Sequence, residues 1–349
     1  MPRPLTEIVS ELWREGNMPS IARQTPPRPT TSFPSGSVLA GAVPVTSLRE
    51  GRVKVCTYGR NRSGKTTLAC CFKKPLLLVS SEPDANGGAN SVTNVEGVFI
   101  NRVSNKLLGK DKDGHWVDAD DPRCVVKDKL KGSAKVVAIA NELLDLQRQS
   151  IAPFATVVLD TVTSLQDVIL VELMGLPKVP EMLSWGFVPE GVYQQRAEKL
   201  RETIRPLLDL NNCNVVILAQ EKDHNAAEDR GGKNKLMHTM QQGSFMAPAL
   251  GATNAQWLQD ACGYVVQIYE DEVTQEVAVP MSDAQGRALP PVVQRVGTGR
   301  RQRHLRLLYH PNFAAGGRWQ YNRDMPEFVT APTPEELYAA MAAYIPALR

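Results

Sequence analysis

The six cysteines (Cys56, Cys70, Cys71, Cys124, Cys213 and Cys262) include no C-x-x-C pair and no histidine partner at zinc-finger spacing. That argues against a disulfide framework and a structural zinc site, and for buried free thiols in a reducing compartment. No stretch approaches the roughly 20 apolar residues that span a bilayer, and the N-terminus lacks the continuous apolar segment of a signal peptide. The expected location is the cytoplasm, with no membrane partner. An excess of one charge is missing too: Lys plus Arg total 40 against 37 for Asp plus Glu, a formal net charge of +3. So small an excess says nothing by itself of a nucleic-acid partner; only local clustering could. What the 349 residues do have is 42% hydrophobic content, enough to bury one large α/β core without staples.

Near the N-terminus, Leu5, Ile8, Val9, Leu12 and Trp13 recur at helical spacing and predict a short amphipathic helix over residues 4 to 15. Residues 19 to 36 are rich in Pro, Ser and Thr and read as an extended linker, so 1–36 form a leading segment. From residue 37 apolar runs of β type alternate with helical patterns, which predicts an α/β fold with a mostly parallel sheet covered on both faces. The strands are expected at 53–58, 76–80, 155–160 and 214–219, and the helices near 64–72, 134–149, 162–174 and 191–210. The charged, Gly-containing segment 109–123 interrupts this rhythm as an exposed hairpin or loop. Residues 262–322 look antiparallel, closing a core over 37–325. A helical tail, 326–349, opens with Thr333 as cap, Pro334 in the first turn and Glu336 completing a capping box.

The strand VKVCTY runs into Gly59-Arg60-Asn61-Arg62-Ser63-Gly64-Lys65-Thr66, followed by Thr67, and matches G-x-x-x-x-G-K-[ST] at every fixed position. Such a loop curls so that successive backbone N–H groups face phosphate oxygens, and the helix behind it adds the positive end of its dipole. Lys65 would reach the β- and γ-phosphates of ATP and the Thr66 hydroxyl would ligate Mg²⁺. Asp160 ends the apolar strand VVLD, at the sheet edge where phosphates sit, and is the second expected magnesium ligand. Glu82 follows the strand LLLVSS and suits the group that polarises an attacking water, with Asp84 in reserve. Gln220 ends the strand NVVILA at the same edge, where an amide could sense the γ-phosphate.

A GRNRSGKT loop, a glutamate after the next strand (SSEPD), an aspartate-ended strand followed by Thr and Ser (VVLDTVTS) and a Gln-ended strand (VVILAQ) come in an order that resembles RecA-like ATPases. The chain also resembles the phage-encoded, RecA-core-only ATPases of single-strand annealing and recombination, through LSWGFVPEGVYQQRAEKLRETIRPLL, PALGA and CGYVVQIY. The resemblance implies a RecA-like core, ATP hydrolysis with Glu82 as catalytic base, Gln220 as sensor, and a homo-oligomeric ring or filament whose sites lie between subunits. It also implies a basic finger from the neighbouring subunit: Arg318, in Ala-Gly-Gly-Arg, leads, and Arg301, Arg303 and Arg323 compete with it. Single-stranded DNA would be held by two loops, near residues 174–190 and 222–252. The second carries Arg230, Lys233, Lys235 and His238 with Phe245 as a stacking ring, although Glu221, Asp223, Glu228 and Asp229 bring its charge near zero. Two further readings stay open: a helicase-like motor or helicase loader, and a nucleotide-controlled binding module with slow hydrolysis. A GTPase is disfavoured, because no N-K-x-D guanine reader occurs and Asp160 does not begin a D-x-x-G pattern.

Overall fold

A computed structural model describes residues 52–82, 92, 94–176, 190–225, 244–250, 252–282, 288–308, 313–317, 325–345 and 348. The expected N-terminal helix and Pro-rich linker lie outside these residues. In chain order the elements are β1 (Lys54–Gly59), α1 (Lys65–Ala69), β2 (Leu76–Ser80), β3 (Val98–Arg102), β4 (Leu108–Lys110), β5 (Trp116–Asp118), β6 (Val126–Lys127), α2 (Gly132–Arg148), β7 (Thr156–Asp160), α3 (Val162–Met174) and α4 (Glu190–Leu208). They continue with β8 (Asn214–Asn225), β9 (Ser244–Pro248), α5 (Ala252–Ala261), β10 (Tyr264–Ser282), β11 (Ala288–Arg306), β12 (Gly316–Gly317), β13 (Phe328–Ala331) and α6 (Pro334–Ala342). The main sheet has the order β13-β11-β10-β1-β8-β7-β2-β3, with β12 added to β10 and β9 to β8. From β10 to β3 neighbouring strands are parallel. This is a mixed α/β architecture with a mostly parallel central sheet and antiparallel strands at one edge.

The parallel strands form because their sequences are apolar on both faces, which only a sheet covered on both sides can bury. Alternation then divides each strand between two cores. Cys56, Tyr58, Val157, Leu159, Val215 and Ile217 pack under α2, α3, α4 and α5, together with Val136, Leu165, Ile169, Ile204 and Leu258. Val55, Leu76, Leu78, Val158, Val216, Leu218 and Ile268 face the other way, against Leu68 of α1 and Leu337 and Met341 of α6. Thr161 caps α3 by accepting from Ser164 N, and Gly175 in the left-handed conformation ends it.

Four features differ from the sequence reading. The insertion builds its own three-stranded sheet, β5-β4-β6, and so spans a few residues more than 109–123. The strand at 214–219 runs on to Asn225, and β9 returns antiparallel beside it, so both ends of the expected 222–252 loop are strand. The stretch expected to be antiparallel begins parallel, because Tyr264–Gln267 pair with Val55–Tyr58 before β10 and β11 continue as an antiparallel hairpin. The expected tail contributes β13 to the sheet edge, and Leu337, Met341 and Ile345 are fully buried. Its Thr333 cap accepts from Glu336 N at 3.3 Å. Among the described residues no helix is long and apolar enough to cross a membrane.

Candidate nucleotide site

Gly59 ends β1 in register with Gln220 of β8, and the loop from Arg60 to Gly64 turns back over the carboxyl edge of the sheet. Two residues permit the curl by taking positive φ: Arg62 (64°) and Gly64 (93°). Lys65 Nζ donates to its own loop, to Gly59 O at 3.0 Å and to Arg60 O at 2.7 Å. Lys65 is 7% exposed, and burial lowers its pKa against the opposing pull of Asp160, Glu82 and Glu221.

The second wall comes from β7 and β2. Asp160 is fully buried; its Oδ2 accepts from Thr66 Oγ1 at 2.9 Å. Burial, with the nearby charge of Glu82, pushes its pKa up to about 7 against the Thr66 hydrogen bond and the Lys65 charge. Glu82, half-buried two residues past β2, thus stands within electrostatic reach of both Asp160 and Lys65. Among the described residues, two buried polar atoms here, Asp160 Oδ1 and Ser63 Oγ, find no hydrogen-bond partner. A hard cation fits this donor set: one carboxylate oxygen turned inward without a donor, with a threonine hydroxyl beside it. Thr66 and Asp160 would hold Mg²⁺, which when bound neutralises charge on the terminal phosphates.

Gln220 is fixed through its backbone, its N donating to Thr163 Oγ1 at 3.0 Å and its O accepting from Ala249 N at 2.7 Å. Phe245 lies on β9, its backbone paired with His224. Arg230, Lys233, Lys235, His238, Arg318, Arg323 and Asp84 lie outside the described residues, as does most of the first expected DNA loop.

One residue was missed as part of the site. Glu221 was read as a loop acid diluting a basic segment, yet its side chain is only 5% exposed and pairs with Arg60 of the P-loop at 3.6 Å. Gln267 Nε2 donates to Glu221 Oε2 at 2.9 Å, and Arg306 Nε donates to Gln267 Oε1 at 3.3 Å while its Nη1 pairs with Glu327. A polar chain therefore crosses β11, β10 and β8 to the loop, on the face opposite α1. The available signal was positional: Glu221 directly follows Gln220 on an apolar strand, so alternation turns it to the other face.

A strand feeding a glycine-bounded turn, a buried lysine behind it and a strand-end carboxylate bonded to the adjacent threonine are the working parts of a P-loop ATPase on a mostly parallel sheet. The model of the AAA domain family matches residues 52–319, and the chain belongs to that family. Among solved structures it is similar to a KaiC-like protein from the hyperthermophilic archaeon Pyrococcus horikoshii, at 10% identity and a TM-score of 0.34, with 80% of this chain and 90% of that chain covered. No curated protein matches the sequence.

Proposed function

We propose that the chain is a DNA-dependent ATPase that works on single-stranded DNA in phage-type recombination or annealing, as an oligomer completed by Arg318 of a neighbouring copy. The observation that carries the ATPase part is the convergence of Lys65, Thr66, Asp160 and Glu82 at one edge of the sheet. In this reading the backbone of residues 59–66 and Lys65 bind and orient the triphosphate. Glu82, on the same side as Asp160, accepts the proton of the attacking water. Gln220 stands midway along β8, whose far end meets β9 through the pair Asn225 and Ser244. The basic residues Arg230, Lys233 and Lys235 fall between those two paired ends, which supports DNA being held beside the strand that carries Gln220.

Steady-state ATP turnover with and without a single-stranded oligonucleotide tests this. Turnover should rise with DNA and vanish in Lys65→Ala; normal turnover in that variant would sink the site. Charge reversal at Lys233 and Lys235 should weaken oligonucleotide binding and flatten its salt dependence. DNA-independent turnover with unchanged oligonucleotide affinity would leave a nucleotide-controlled binding module instead.

A further inference from the structure

The P-loop is flanked on one side by β8, β7 and β2, which carry the residues assigned above, and on the other by β10 and β11, which send Gln267 and Arg306 to the face opposite α1. Alternation decides which of their side chains reach the loop. Ile268 and Leu305 belong to the core on the α1 side, so Glu270 and Arg303, two positions beyond and two before them, project to that same face. Glu270 and Arg303 are direct cross-strand partners, with Arg303 Nε 2.8 Å from Glu270 Oε1 and Arg301 Nη1 3.8 Å from Oε2. A Cβ placed on Gly64, the residue before the P-loop lysine, would meet Arg303 Nε at 3.4 Å and Arg303 Cδ at 3.8 Å. The arginine therefore lies against the phosphate loop of its own chain. Its contact with Glu270 is an ion pair rather than a well-directed hydrogen bond, since among the described residues the buried Nε has no acceptor in hydrogen-bond geometry.

Sheet order then says which end of a nucleotide it meets. Asp160 and Glu82 lie beyond β8 on one side of β1, and Arg303 lies beyond β10 on the other. A triphosphate whose terminal phosphate faces Asp160 has its α-phosphate and nucleoside on the β10–β11 side. We propose that Arg303 is a nucleotide-binding residue supplied in cis, its guanidinium donating to the α-phosphate end, with Glu270 as the residue that positions it. A planar guanidinium offers that phosphate a charge-assisted fork which backbone N–H groups do not. Packed on its own loop, Arg303 is withdrawn from the arginines that could serve a neighbour's site. The inference rests on the ATP site proposed above.

Calorimetric titration of the full chain with ATP and with ADP, both with Mg²⁺, provides the test. Arg303→Ala should weaken ATP and ADP by the same factor, about tenfold, because both carry the α-phosphate. Arg303→Lys, which keeps stem and charge but loses the fork, should weaken both less, and it remains readable should the alanine variant misfold. Glu270→Gln should move both affinities in the same direction. Arg295→Ala, on the distal part of the hairpin and paired with Glu276, should change neither. Wild-type affinities in Arg303→Ala, or weakened ATP with unchanged ADP, would overturn the proposal. A wild-type chain that binds neither nucleotide would instead overturn the ATP site itself.

Discussion

Gly59 opens the phosphate loop where β1 ends, and β10 lies close beside it. A Cβ at this position would stand 2.1 Å from Ile268 O, 2.9 Å from Ser63 Oγ and 3.0 Å from Ile268 Cγ2. The nearest of these is a backbone carbonyl of a paired strand, so it cannot rotate aside as a side chain would. To accept Gly59→Ala, β1 and β10 must part by roughly 1 Å. Overpacking of this kind costs about 1–3 kcal/mol, and a backbone obstacle belongs at the upper end. At roughly 2–4 °C per kcal/mol for a domain of a few hundred residues, the unfolding temperature should fall by roughly 5–10 °C. The same displacement misplaces the N–H groups that face the phosphates, and a shift of about 1 Å should lower ATP turnover on the order of 100-fold. Thermal unfolding and steady-state hydrolysis read the two effects separately. Gly191→Ala is the control: in the first turn of α4 the new methyl meets none of the described residues within 4 Å, and replacing a helical glycine should raise stability by up to about 1 kcal/mol. Wild-type melting and turnover in Gly59→Ala would refute the packing of Ile268 over the loop.

Glu172 of α3 caps the neighbouring helix α2, accepting from Ser133 N at 2.8 Å and from Ser133 Oγ at 2.6 Å; Glu172→Ala should cost about 1–2 kcal/mol in urea unfolding, and an unchanged midpoint would show that the cap contributes nothing. Burial raises five thiols from an ordinary value of 9.0, Cys70 and Cys213 to about 11, Cys71 and Cys262 to about 12 and Cys56 well above 9.0. The folded chain therefore holds protons that the unfolded chain releases above pH 9, so this contribution is fully present below about pH 9 and is lost as pH rises through 11 to 12. Urea unfolding at about pH 8 and about pH 10.5 should show lower stability at the higher value, with a smaller drop in a Cys213→Ala, Cys262→Ala double variant; identical drops would exclude these thiols as the cause.

Much of this was legible in the chain itself. The P-loop announces itself because its glycines, lysine and threonine have fixed local jobs at fixed spacing. Strands β1, β2 and β7, the first half of β8 and helices α2, α3 and α4 were readable within a few residues, since burial on both faces writes a continuous apolar run and helix amphipathicity writes a 3.6-residue period. Asp160 stood out because it ends such a run.

Other features have no local signature. The continuation of β8 through Glu221 to Asn225 depends on a partner strand some twenty residues farther along. β10 is parallel to β1 at its start and antiparallel to β11 beyond, a change that its own sequence does not mark. Arg303 was one of several arginines that could have served a neighbour, until its pairing with Glu270 placed it against Gly64 of its own loop. The sequence by itself determined which segments become strands and helices and where the phosphate loop falls, because steric and hydrophobic preferences act over a few residues. Which charges face that loop from across the sheet was decided only by strand order and register, set by burying two cores at once between residues far apart in the chain.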